Sequence, residues 1–139
     1  MPQGLHFKRV CDGLAGLGLC APHKYGFPRP RFYDGRVFVA DRENNRIQIF
    51  DAEGKYLEEW GGLARPCDIY IDQDNIIYVP ELDGFMSILS IDGDIISTWD
   101  SPLDAGMGNG AHAVWVDSHG DLYVNQNVEG HRLVKYIRQ

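Results

Sequence analysis

Asp34-Gly35-Arg36-Val37-Phe38-Val39-Ala40-Asp41 returns forty residues later as Asp74-Asn75-Ile76-Ile77-Tyr78-Val79-Pro80-Glu81, and again as His119-Gly120-Asp121-Leu122-Tyr123-Val124-Asn125-Gln126. Each copy opens on polar turn residues and runs into β-branched and aromatic residues, which is the signature of a strand entered from a tight turn. Further along, Arg46-Ile47-Gln48-Ile49-Phe50-Asp51 is matched by Met86-Ser87-Ile88-Leu89-Ser90-Ile91 and by Leu133-Val134-Lys135-Tyr136-Ile137-Arg138. Three copies in step are hard to obtain by chance.

Two more elements complete the unit. Glu53-Gly54-Lys55-Tyr56-Leu57-Glu58-Glu59-Trp60 recurs as Asp92-Gly93-Asp94-Ile95-Ile96-Ser97-Thr98-Trp99. Upstream of the opening motif, Pro66-Cys67-Asp68-Ile69-Tyr70-Ile71-Asp72 matches Ala111-His112-Ala113-Val114-Trp115-Val116-Asp117, and its first copy is expected near residues 22–33. Each unit is therefore four short strands separated by Gly, Asp and Asn turns, with no stretch of helical period long enough to compete. Four strands in about forty residues predict a propeller blade.

The fold class expected is all-β, a partial β-propeller of about two and a half to three four-stranded blades. One complete blade is expected at about 66–100, three outer strands of another at 34–62, and three inner strands of a third at 111–138, roughly ten strands in all. A blade gains stability only by stacking on its neighbours. Closed propellers need about four to eight blades, so a few blades leave two flanking faces whose apolar area invites association. Completion by self-association, with a homodimer favoured, follows.

Residues 1–33 divide from 34–139. Residues 1–34 carry five basic and two acidic residues, against eight and eighteen in 35–139. Phe27-Pro28-Arg29-Pro30-Arg31-Phe32 holds two prolines, which a central strand does not tolerate. The segment reads as a cap, an arm, or a strand whose codons have shifted frame. The acidic body, with a net charge of −7 for the whole chain, lacks the clustered basic face of a nucleic-acid binder. No apolar run approaches the roughly 18 residues of a membrane span, nor is there a clear signal peptide. The chain reads as soluble, its destination open. Cys11, Cys20 and Cys67 form no C-x-x-C pair and leave at least one thiol unpaired.

Val39-Ala40-Asp41-Arg42-Glu43-Asn44-Asn45-Arg46-Ile47-Gln48-Ile49-Phe50, followed by Gly54, resembles an NHL repeat, with its aspartate, paired asparagines, arginine and strand. Together with residues 65–72 and 112–124, it further resembles the C-terminal half of bacterial peptidyl-α-hydroxyglycine α-amidating lyase-like proteins. That resemblance implies a six-bladed propeller, about twice this chain, with zinc held by histidines on alternate inner strands.

The resemblance makes His112, at the start of an inner strand, the candidate metal residue, since neutral imidazoles from several blades can converge on an axis as zinc requires. The alternative is a partly buried strand-end histidine bonded to a carbonyl. Cys67 holds the corresponding place one blade earlier and reads as a buried structural cysteine. Asp41, Arg46, Asp68 and Asp72 read as turn-tying residues, and His119 and His131 as surface residues. His112 alone cannot complete a zinc site. The function expected is thus a non-catalytic or vestigial binding and assembly module acting through homo-oligomerisation, with a peptide as one conceivable ligand. The alternative is a zinc-dependent amidating lyase-like enzyme whose ring and site another chain completes, and enzymatic activity stays open.

Overall fold

The structure, a computed structural model, describes residues 30–100, 110–126 and 132–139. Eleven strands are found among them, in three antiparallel sheets. The first sheet holds β1 (Pro30–Tyr33), β2 (Arg36–Asp41), β3 (Arg46–Asp51) and β4 (Tyr56–Trp60), hydrogen-bonded in sequence order. The second holds β5 (Tyr70–Ile71), β6 (Ile77–Glu81), β7 (Phe85–Leu89) and β8 (Ile95–Asp100) in the same order. In the third, β9 (Ala111–Val116), β10 (Leu122–Gln126) and β11 (Arg132–Tyr136) form a three-stranded sheet. No helix among the described residues is long and apolar enough to cross a membrane.

These are propeller blades, two complete and one with three strands. The middle and last blades match the expected spans. The first blade is complete, its inner strand lying within the 22–33 where that copy was expected: β1 pairs with β2 from Pro30↔Val39 to Tyr33↔Arg36. Its proline is compatible with this because β1 is the edge strand of its sheet, so the missing N–H breaks no ladder on a second side. The remainder of the atypical segment, residues 1–29 with Cys11, Cys20 and His23, lies outside the described residues.

The third strand of each unit also sits one residue from the register read in the sequence. Asp41↔Arg46 is the terminal pair of the β2–β3 hairpin, and its counterparts are Glu81↔Phe85 and Gln126↔Arg132. The connecting loops differ in length, so the residue equivalent to Arg46 is Phe85, not Met86. Ser90 accordingly takes the place of Asp51: the Asp51 carboxylate accepts from the N–H groups of Glu53 and Lys55, and the Ser90 hydroxyl from those of Asp92 and Asp94. Both side chains do the same turn-closing work.

Alternation along the strands gives every blade two packing faces. Phe38, Ala40, Ile47 and Ile49 of the first blade bury against Ile69, Ile77, Val79 and Leu89 of the second. The opposite face of the second blade, with Tyr78 and Met86, packs on Val114, Val116 and Val124 of the third. Val37, Val39 and Phe50, on the outward face of the first blade, form a separate buried cluster. The tryptophans that close the outer strands are part of this stacking: Trp60 lies against Phe38 with ring centroids 5.6 Å apart, and Trp99 reaches Tyr136 of the next blade at 6.0 Å.

Candidate functional site

The inner strands begin at equivalent points. Tyr70 faces Tyr78 across its ladder and Trp115 faces Tyr123, so Cys67 and His112, each three residues upstream, hold the same repeat position. His112 is half-buried in β9. Cys67 is buried, its Sγ 3.6 Å from the carbonyl of Arg65. Burial is the main cause that pushes its thiol up to about 11, against a smaller opposing pull from Arg42. At neutral pH the side chain, without a metal, is a thiol.

Among the described residues no three His, Cys, Asp or Glu side chains gather where they could hold a metal ion. The zinc implied by the lyase resemblance therefore has no matching ligand set among the described residues. His119 is exposed in the β9–β10 turn, as expected from its hairpin position. His131 lies outside the described residues.

The carboxylates of the repeat are occupied by the fold. Asp41 accepts from Asn44 Nδ2 at 3.0 Å and from Arg46 Nε at 2.8 Å, while Arg46 Nη1 reaches Glu59 at 2.7 Å. Asn45 stands in the left-handed region at φ 57°, closing a single 3-10 turn over Arg42–Asn44. Its side-chain oxygen accepts the N–H of Arg65 at 3.1 Å on the strap to the next blade. The paired asparagines thus have separate tasks, one satisfying a carboxylate and one turning the chain. In the second blade Phe85 stands where Arg46 does. The buried Glu81 carboxylate there accepts from the N–H of Ala64 and the hydroxyl of Ser87.

Asp72 and Asp117 repeat one another closely. Each accepts two turn N–H groups through Oδ1 and a tyrosine hydroxyl through Oδ2, from Tyr78 at 2.9 Å and Tyr123 at 3.2 Å. Their turns, with Tyr70, His119 and Arg138, line a cleft of about 280 Å³ between the second and third blades. Asp68 receives the N–H of Val114 at 3.4 Å, tying the same two blades.

One arrangement escaped the sequence reading. Arg31, Tyr70 and Trp115 pair with Phe38, Tyr78 and Tyr123, so they are the same position on three successive inner strands. They touch in order: Arg31 Cζ lies 5.2 Å from the Tyr70 ring centroid, and the Tyr70 and Trp115 centroids are 5.2 Å apart in an edge-on arrangement. Arg31 is held by a 2.8 Å bond from Nε to the carbonyl of Ile69, and Tyr70 by a 3.2 Å bond from its hydroxyl to the carbonyl of Val116. The alignment of the inner strands already put Tyr70 and Trp115 at one repeat position but gave no sign that they touch. Arg31 was hidden because residues 30–33 did not align.

Residues 33–50 match the NHL repeat. The chain is a partial β-propeller that carries one NHL-repeat match. Solved structures share that fold at low identity. A streptogramin B lyase aligns with a TM-score of 0.59 and 15% identity over 80% of this chain and 40% of its own. A catalytically inactive virginiamycin B lyase from Staphylococcus aureus, with quinupristin, gives 0.58 and 14% over 85% and 43%. The Dos1 propeller gives 0.57 and 13% over 80% and 34%. The chain thus spans well under half the length of these three proteins. No curated protein sequence matches it.

Proposed function

We propose that this NHL-type fragment is an assembly module that completes a propeller by associating with copies of itself. The observation that carries this reading is the outward face of the third blade. The corresponding faces of the first two blades are core: Phe38, Ile47 and Ile49 in one, Tyr78 and Met86 in the other. On the third blade, Leu133 and Trp115 on that face are 68% and 60% exposed, as is the neighbouring Ile137 at 71%. Stacking a further blade there would remove apolar area from water, and burial of such area stabilises by roughly 25 cal/mol per Å².

Two copies supply six blades, four of them complete and two with three described strands, within the range of about four to eight in which propellers close. A rotationally symmetric pair places the last blade of each copy beside the first blade of the other. Sedimentation velocity over micromolar concentrations tests the reading. A mass of twice 15.7 kDa is expected, and a monomer throughout that range rules it out.

A further inference from the structure

We infer that the ring-closing contact is made at the inner strands, with Trp115 of one copy packing against Arg31 and Phe32 of a second copy. This inference rests on the assembly reading and names the residues through which association runs.

The internal junction between the second and third blades is the template. There Tyr70, on the forward side of its inner strand, contacts Trp115 and binds the carbonyl of Val116. Trp115 is the residue equivalent to Tyr70 one blade on, yet it is 60% exposed. What a closing blade must bring against it is an inner-strand pair equivalent to Trp115-Val116. By register that pair is Arg31-Phe32, since Arg31↔Phe38 and Phe32↔Val37 match Trp115↔Tyr123 and Val116↔Leu122.

The first blade has this pair ready. Phe32 occupies the position of Val116, which is buried, and of Ile71, which packs in the core, yet Phe32 is 64% exposed. Farther out on the same face Val37, Val39 and Phe50, the equivalents of the Ile77, Val79 and Leu89 that the second blade buries against the first, are already buried within the single chain, so the contact open to a second copy is confined to the inner strand. The chemistry also matches. Arg31 already lies over the Tyr70 ring of its own chain, and a guanidinium has two faces, so an indole can take the other. Around the axis the order would read arginine, tyrosine, tryptophan, arginine, tyrosine, tryptophan.

The test uses the full chain with Trp115→p-benzoylphenylalanine, photolysed in an equal mixture of ¹⁵N-labelled and unlabelled protein, with the cross-linked peptides mapped by mass spectrometry. Mixed-isotope cross-links into residues 30–33 are expected. Sedimentation of Trp115→Ala should show self-association weakened at least about tenfold, as for a buried aromatic anchor. Trp115→Phe, with an unchanged circular dichroism spectrum, should stay within a few-fold of the parent. A dimer whose cross-links fall instead on the third blade of the other chain, or whose dissociation constant is unmoved by Trp115→Ala, overturns this contact while leaving assembly standing. A monomer overturns both.

Discussion

The indole of Trp60, at the end of the outer strand of the first blade, lies across Gly93 in a turn of the second. A Cβ built on Gly93 would stand 2.5 Å from Trp60 Cε2, and Gly93 has φ +92°. The glycine therefore serves twice, permitting the turn and admitting the ring of the neighbouring blade.

Gly93→Ala combines backbone strain with a forced displacement of the indole. A loss of roughly 2 to 4 kcal/mol in unfolding free energy is expected. Equilibrium urea denaturation measures it. A change below half a kcal/mol, on the order of an ordinary surface substitution, would show that the blades do not meet here.

The Asp41–Arg46 pair predicts a second cost. Asp41 is 7% exposed and takes both Asn44 and Arg46 as donors, so Arg46→Met leaves a nearly buried carboxylate short of its only cationic donor among the described residues. About 2 kcal/mol of destabilisation is expected. The double variant Asp41→Asn with Arg46→Met should be less destabilised than the sum of the single changes, because the uncompensated charge is gone. Strict additivity in urea melts would remove the pair from the account.

Acid should loosen the third blade through Asp121. A 2.8 Å bond from Lys135 Nζ is the main cause holding the Asp121 carboxyl below its ordinary value, joined by the N–H of Arg138. A carboxyl lowered on folding stabilises fully above the usual carboxylate range, near about 4, and that contribution fades as pH falls through the lower folded value. Urea midpoints taken from pH 5 to 2.5 should therefore decline, and Asp121→Asn should flatten part of the decline. Parallel curves for parent and variant would contradict this.

Cys67 should be inert. With its thiol pushed up to about 11 by burial, a chain carrying Cys11→Ser and Cys20→Ser should react with a disulfide reagent at neutral pH at least about a hundredfold more slowly in the native state than in urea. Equal rates in the two states would place Cys67 at the surface.

How much of this was readable beforehand depended on the range of the interaction concerned. The strands from Arg36 to Trp60 and from Ile77 to Asp100 were legible because alternation and turn chemistry are local: Asp-Gly and Asn turns, β-branched runs and a closing tryptophan each act over a few residues. Asp41, Arg46 and Asp72 were likewise legible as turn-tying residues, since Asp41 and Arg46 pair five positions apart and Asp72 meets Tyr78 six positions on. The inner strand at 30–33 was legible only as a place in the repeat, near residues 22–33, because Pro30 within it and its basic neighbourhood argue against a strand unless that strand is known to sit on an edge. The register of β7 and β11 was off by one because hairpin loops of different length preserve the ladder while breaking the spacing.

Repeat number, blade type and the identity of the turn residues are thus properties of the linear chain, since each rests on contacts among near neighbours. Which residues meet between blades is different. Trp60 on Gly93, Asp68 on the N–H of Val114, and Arg31 against Tyr70 against Trp115 join positions tens of residues apart, and only the stacking of twisted sheets brings them within reach. The tertiary structure alone also sorted the apolar surface. Val37, Val39 and Phe50 are buried, while Phe32 and Trp115 stand open, because burial depends on what packs against a face and not on the residues that compose it.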